Sequence, residues 1–164
     1  MCADITLRTA RDADGPEIAQ LIADVFAEYP GCVMDLEGEC PDLLFPDSHY
    51  RAKGGRFWVA LGDKTGDEIL ATCAVEATPR PGVFAIERLY VKKSARGQGL
   101  ASRLCAKVEI FVRAQGGHMI DCWTDTRFAD AHRLYARLGY ERQPEMRDLN
   151  DLSNSTEFHF IKQL

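Results

Sequence analysis

Residues 91–101 read Val-Lys-Lys-Ser-Ala-Arg-Gly-Gln-Gly-Leu-Ala, with an extended apolar segment before them and an amphipathic stretch after. That is the order of a strand, a glycine-bent loop and a helix start. Gly97 and Gly99 flank Gln98, and glycine's freedom at positive φ lets successive backbone N–H groups turn toward one point. The new helix adds its unpaired amides and the positive end of its dipole. The loop is therefore a candidate phosphate cradle, although a plain strand-to-helix turn would use the same glycines.

Three chemistries compete for such a loop. A triphosphate-hydrolysing P-loop needs Gly-Lys-Ser/Thr at the helix start, whereas Gly99 is followed by Leu100. A dinucleotide fingerprint needs a third glycine where this chain has Ser102, and its first glycine should follow the strand directly. Asp121, standing about where the ribose-binding acid would be expected, keeps that reading open.

The third reading is a family resemblance. Arg96-Gly97-Gln98-Gly99-Leu100-Ala101 resembles the Arg/Gln-x-x-Gly-x-Gly/Ala signature of the GNAT superfamily of acetyl-CoA-dependent N-acetyltransferases. The preceding Glu87-Arg88-Leu89-Tyr90-Val91 is similar to that family's fourth strand, and residues 131–140 to its Ala-x-x-Leu-Tyr-x-x-x-Gly-Phe element, in the same order. The resemblance implies an α/β (α+β) fold: a mixed, mostly antiparallel sheet of about seven strands, a central strand-helix-strand cofactor unit and helices on both faces. It also implies that acetyl-CoA is the co-substrate, that no metal takes part, and that an amine is the acceptor.

The elements that would position this loop follow from periodicity. Residues 5–9 form a short alternating strand; Asp14-Gly15-Pro16-Glu17 starts a helix whose apolar face runs Ile18, Leu21, Ile22, Val25, Phe26 and Tyr29 until Pro30-Gly31. Residues 56–62 and 68–76 are strand-like around a polar turn at 63–67, and Pro79-Arg80-Pro81-Gly82 turns the chain into a strand over 83–91. After the glycine loop, Leu100, Leu104, Val108, Phe111 and Val112 mark a helix ending near Gly116-Gly117, followed by a strand over 118–124. Phe128, Ala131, Leu134, Tyr135 and Leu138 line another helix, and residues 156–162 alternate cleanly as a last strand. The central strand-helix-strand unit is expected to make a parallel pair within a mixed sheet.

Composition bounds the answer. A chain of 164 residues with 46% hydrophobic and 27% charged residues suits one globular domain, residues 1–164, with a single core. No apolar run is long enough to span a bilayer, and Met1-Cys2-Ala3-Asp4 lacks the basic-then-apolar pattern of an export signal, so a cytoplasmic location without membrane contact is expected. The six cysteines are scattered, with no Cys-x-x-Cys pair and no histidine at ligand spacing, and read as reduced thiols, several of them core filler.

Acetyl transfer to an amine needs a neutral amine, a stabilised oxyanion and a proton for the departing thiolate. The resemblance implies that the amides of Leu89 and Val91, with Tyr90 between them, meet the acetyl and pantetheine carbonyls, while Arg96, Gly97, Gln98, Gly99, Leu100 and Ala101 hold the pyrophosphate. Arg88, Lys92, Lys93, Arg96 and Arg103 would supply cations around the loop. Tyr135 stands where the family places the tyrosine that protonates the sulfur, and a phenol of ordinary pKa near 10 stays protonated at neutral pH. On residue type alone, Tyr135, on the apolar face with Ala131 and Leu138, reads as a packed core tyrosine, and the motif match is what favours the catalytic role. Seven residues before it, where many relatives have asparagine, this chain has Phe128.

Glu87, two residues before Leu89 and so expected on the same strand face, is the candidate base; a cross-strand partner for a cation is its structural alternative. Asp121 and Asp125 are weaker candidates, and His132 is given no role. A covalent route through cysteine is not expected, because no histidine partner is apparent for Cys105 or Cys122.

Charge asymmetry points to the acceptor. Asp24, Glu28, Asp35, Glu37, Glu39, Asp42 and Asp47 fall in one segment without lysine or arginine; removing these seven from 25 acidic residues leaves 18 against 20 basic ones elsewhere. In the resembled fold this segment walls the acceptor site, so a small cationic amine or a peptide amine is the expected partner. Nucleic acid is disfavoured, because the only basic patch is the one assigned to the cofactor. A catalytically silent acyl-CoA-binding module is the alternative. The last strand, taken as an exposed edge, would pair across a homodimer.

Overall fold

The computed structural model describes residues 4–62 and 65–164. Cys2 and the residues at 63 and 64 of the expected polar turn lie outside the described residues. Seven strands, β1 (Thr6–Thr9), β2 (Arg56–Leu61), β3 (Ile69–Ala77), β4 (Val83–Val91), β5 (Met119–Asp125), β6 (Glu141–Asp148) and β7 (Thr156–Gln163), form one sheet in the order β1-β2-β3-β4-β5-β7-β6. Every neighbouring pair is antiparallel except β4 and β5, which run parallel because α3 (Leu100–Ala114) carries the chain back between them.

The sheet is covered on two sides, and its central strands therefore read as continuous apolar runs. Phe57, Val59 and Ala74 pack with Ile18, Ile22 and Leu43 on the side of α1 (Gly15–Phe26) and α2 (Pro46–Ala52). Trp58, Cys73, Val75 and Ile86 pack with Leu104 and Val108 of α3 on the other side, which α4 (Ala129–Arg137) extends through Tyr135. Consecutive residues 57–60 thus feed alternate cores, as the two-residue period of a strand requires. Gly117 donates to Val112 O at 2.8 Å and Gly116 sits at φ 75, closing α3 where the paired glycines were expected to stop it.

Three features depart from the sequence reading. Helix α1 ends at Phe26, and the residues that follow tighten into turns through Glu28 N–H to Val25 O and Tyr29 N–H to Phe26 O. The segment 141–148 is a strand without an alternating pattern: Glu-Arg-Gln-Pro-Glu-Met-Arg-Asp is almost wholly exposed because β6 is the sheet's outer edge, where charges and a proline discourage further pairing. The last strand is consequently interior, flanked by β5 and β6, and offers no free edge for a dimer.

Candidate active site

The parallel pairing of β4 with β5 runs only from Val83 opposite Met119 to Ile86 opposite Cys122, although both strands continue. Beyond that point the strands part. Lys92 N–H donates to Leu70 O at 2.8 Å, so by strand alternation the amides of Leu89 and Val91 point the other way, into the gap. These are the two amides the sequence singled out. Tyr90 contributes its ring to the site, since its amide faces β3.

The glycine loop opens onto the same gap. Residues 93–95 make a single tight turn, Gly97 and Gly99 adopt φ 77 and 75, and Arg103 N–H makes the first intrahelical bond, to Gly99 O at 3.0 Å. The amides of Leu100, Ala101 and Ser102 are thereby left at the helix start without an intrahelical acceptor. A Cβ built at either glycine meets no atom within 4 Å, so these residues are glycine because of their left-handed backbone and open space lies in front of them. A cleft of about 440 Å³ runs along this surface, lined by Leu89, Val91, Arg96, Gly97, Gly99 and Leu100, with Ala101 continuing it. Gln98 is exposed and does not line it. An anion meets here converging N–H donors and a helix N-terminus.

The cations are distributed differently from expectation. Arg88 turns to the opposite side and holds Asp42 with Nε at 2.9 Å and Nη2 at 2.8 Å; Lys92 pairs with Glu68, and Arg96 with Glu28 at 2.6 Å. Arg103 donates to Ile5 O at 3.2 Å. The cleft, lined by Arg96, also gains Arg133 and Arg137 from α4, which motif reading missed because a helix about 35 residues downstream carries them.

A second cavity, about 270 Å³, adjoins the cleft through shared walls at Leu89, Tyr90, Phe128 and Ala131. An aromatic partition separates the two. Phe128 contacts Tyr29 with centroids 4.8 Å apart and Phe26 and Tyr90 at 6.2 Å, while Phe26 meets Tyr90 edge-on at 5.7 Å. Phe128, standing where the resemblance led to asparagine, is thus a packing residue, and Phe26 at the end of α1 and Tyr29 in the turn after it join it.

Glu87 lines this second cavity, but not for the reason its spacing suggested. Ala74 pairs with Glu87 and Thr72 with Tyr90, so Cys73 alone faces both Arg88 and Leu89. The extra residue is a β-bulge, and it reverses side-chain parity: Glu87 lies on the α1 side with Ala74, whereas Leu89 packs into the α3 core. No hydrogen bond reaches the Glu87 carboxylate among the described residues. Burial pushes it up to about 7, opposed by nearby Arg88 and reinforced by Glu76 and Glu157.

Arg88 itself is held at φ 53, which costs a non-glycine residue roughly 1–2 kcal/mol. Thr72 Oγ1 donates to its carbonyl at 2.8 Å, and Asp42, which also accepts from Tyr50 Oη at 2.8 Å, fixes its guanidinium. Burial works against the Asp42 charge, yet Arg88 and Tyr50 hold its pKa below the usual range. Arg88→Ala therefore strands a buried carboxylate. It is expected to lower unfolding free energy by about 3 kcal/mol or more in a urea titration, and a loss below about 1 kcal/mol would show that the pair is dispensable.

Tyr135 is buried on α4, one turn beyond Ala131, with its ring against Tyr140 at 5.2 Å and Phe160 at 5.9 Å. It lines the second cavity and lies beside the Cys122 thiol, at the level where β4 and β5 part. Burial, aided by the neighbouring thiols, raises its pKa well above the ordinary phenol, so the proton stays on. Cys73, Cys105 and Cys122 are buried in the same core, with thiol pKa values raised chiefly by burial. None is poised as a thiolate.

The other acidic candidates are occupied. Asp125 accepts from Arg127 Nε at 2.9 Å and Nη2 at 2.8 Å; burial works upward on its pKa, but Arg127 holds it low. Asp121 sits with Arg80 and His159 outside both cavities, and the mostly antiparallel sheet removes the dinucleotide reading. His132, given no role from the sequence, is bound to Asp125 O at 2.9 Å and wedged against Phe158, a structural role. Of the acidic segment, only Glu39 lines the second cavity; Glu28, Asp42 and Asp47 are spent on Arg96, Arg88 and Arg51. The cavity's remaining carboxylates, Glu87, Asp125, Asp151 and Glu157, come from elsewhere in the chain.

Known proteins share this fold. The aminoalkylphosphonate N-acetyltransferase of Salmonella typhimurium is 27% identical over 136 residues, spanning 83% of this chain and 84% of that protein. An acetyltransferase of the GNAT family from Staphylococcus aureus Mu50 has the same fold, with TM-score 0.83 at 18% identity over 98% of this chain and 99% of that one. YncA of Salmonella typhimurium, whose structure holds its cofactor acetyl-CoA, gives TM-score 0.72 at 16% identity over 98% of this chain and 94% of its own. The model of the acetyltransferase (GNAT) family matches residues 18–140, more than half of the sequence, and with the parted strands and the glycine loop already in place, the chain belongs to the GNAT family of acetyltransferases.

Proposed function

We propose that the protein transfers the acetyl group of acetyl-CoA to a cationic primary amine by direct attack in a ternary complex. The observation that carries this reading is the meeting of the two cavities at Leu89 and Ala131, one lined by free amides and the other by an unpaired carboxylate. The cofactor's pyrophosphate would lie on the amides of residues 99–102, with Arg133 and Arg137 at its side, and its thioester would reach the gap where the Leu89 and Val91 amides point. Glu87 would take the ammonium proton, since a carboxyl near pKa 7 is ionised in about half the molecules at neutral pH. The amine nitrogen then bonds to the acetyl carbon, the C–S bond breaks as Tyr135 gives its proton to the departing sulfur, and the second proton shed by the nitrogen restores the Tyr135 phenol, leaving the one on Glu87 to pass to solvent. Raised thiol pKa values throughout the core favour this direct route over an acetyl-cysteine intermediate.

With the ion pairs Asp125–Arg127, Glu157–Arg147 and Asp42–Arg88 set aside, Glu39, Glu87 and Asp151 are the carboxylates left facing the acceptor cavity, which favours a cation. The relative from Salmonella is named for an aminoalkyl substrate, which supports an amine acceptor here. The test is release of CoA thiol from acetyl-CoA across a panel of amines, with acetyl-CoA binding measured alongside. Amine-dependent release supports the reading, and binding without release on any amine would make the protein a silent acyl-CoA-binding module.

Gly99→Val addresses the cradle. A β-branched residue at φ 75 is strained, and its side chain would project into the open space before the loop. Acetyl-CoA binding measured by calorimetry is expected to weaken at least about tenfold, or about 1.4 kcal/mol, in a folded protein. Unchanged affinity would remove the cradle assignment.

A further inference from the structure

We propose that the acceptor is a compact amine held end-on beneath a hydrogen-bonded bridge between two loops, and that Ser153 is the positioning residue that fastens the bridge; this rests on the acetyl-transfer reading. The loop after α1 and the loop joining β6 to β7 are some 120 residues apart in sequence, yet they meet over the acceptor cavity. Ser153 Oγ accepts the Val33 N–H at 2.7 Å and donates to the Val33 carbonyl at 3.2 Å, so one hydroxyl engages both backbone groups of one residue. Six residues on, Glu39 Oε1 accepts the Leu152 N–H at 2.7 Å.

The bridge is anchored from below. Arg127 Nη2, already paired with Asp125, donates to Ser153 O at 3.2 Å and to Ser155 Oγ at 3.1 Å, and Asp151 accepts the Ser155 N–H at 2.6 Å. Ser153 and Ser155 are each only 7% exposed. Val33, Glu39, Asp151, Ser153 and Ser155 all line the cavity, so the stitched loops are its wall.

Two consequences define the acceptor. The cavity volume, about 270 Å³, lies below the roughly 300–1,000 Å³ usual for pockets that take drug-sized ligands. An extended peptide is ordinarily gripped through its main chain by free N–H and C=O groups of an open edge. Here both backbone groups of Val33, which lines the cavity, and the N–H of Leu152 next to Ser153 are consumed by the bridge. An acceptor can present its amine to Glu87 from one side, but a chain running through the site would have to break these bonds.

The test compares compact primary amines, such as short diamines and aminoalkyl alcohols, with decapeptides bearing a free N-terminus or an internal lysine. Thiol release with compact amines at least about tenfold faster in kcat/KM than with either peptide supports the proposal; peptides equal to or better than every compact amine overturn it. If no amine releases thiol from a protein that binds acetyl-CoA, the transferase reading fails separately. Competition binding of the same panel then decides the size claim, compact amines alone binding in support and peptides binding more tightly against. In the Ser153→Ala protein, loss of about 1 kcal/mol of hydrogen bonding predicts about a five-fold higher KM for the compact acceptor, with kcat within two-fold and acetyl-CoA affinity unchanged. An unchanged acceptor KM would refute the role of Ser153.

Discussion

A Tyr135→Phe protein is expected to bind acetyl-CoA and unfold as the parent does while its kcat falls at least about tenfold, within the 10²- to 10⁴-fold range of general-acid help. The ring keeps its contacts with Tyr140 and Phe160, so little packing changes. What disappears is one hydroxyl whose proton burial keeps in place, beside Cys122 and level with the parting of the strands. Pre-steady-state measurement must show that chemistry limits turnover, because slow product release would mask the loss. If chemistry limits and kcat stays within twofold, Tyr135 is a core residue and the proton comes from elsewhere.

Glu87→Gln is expected to act on rate and stability in opposite senses. In the parent, kcat/KM should rise with pH through about 7 as the carboxyl ionises, and the variant should lack that limb. The loss is greatest between about pH 7 and the amine's own pKa, where the base is ionised and the amine still protonated. A loss independent of pH would mean that Glu87 only positions the amine.

The stability sign follows from linkage. The folded protein holds a proton on Glu87 up to about pH 7, whereas the unfolded chain releases it near the ordinary 4.5. Between those values the folded state binds more protons, so parental stability falls as pH rises through the window and levels off above it. Glutamine escapes that loss. Urea titrations at pH 5 and pH 8 should show the variant gaining on the parent by at most about 3 kcal/mol, the upper bound set by the shift. A variant that loses ground with rising pH would reveal a paired carboxylate.

Glu87 also shows how far strand periodicity reaches. Counting by twos put it on the face of Leu89; the bulge at Arg88 inserts one residue and sends the two side chains to opposite sides. The candidate survives because its new side also faces the acceptor cavity. The bulge is invisible in the sequence because Arg88 is not a glycine. Its backbone is held by Thr72 and its guanidinium by Asp42, 16 and 46 residues away.

The acidic segment failed in a similar way. Its composition was read correctly and its wall exists, but carboxylates so close in sequence found cations on α2, β4 and the glycine loop. Charge counted along a chain becomes potential in a cavity only after ion pairs are subtracted. Strand β6 escaped notice for a different reason: an edge strand exposed on both faces has no buried side to impose alternation.

What the sequence by itself determined lies within short range: the glycine loop and its left-handed dihedrals, the amphipathic faces of α1, α3 and α4, the buried apolar strands, and Tyr135 at a fixed turn of its helix. Such features depend on dihedral preference and on periods of two or 3.6 residues, which a window of a dozen residues contains. Only the tertiary structure decided the separation of β4 from β5, the reversed face of Glu87, the partners of Arg88 and Arg96, and the bridge from Ser153 to Val33. Each of these is a contact between segments far apart in the chain, set by which groups the packed sheet brings within hydrogen-bond reach and leaves away from water.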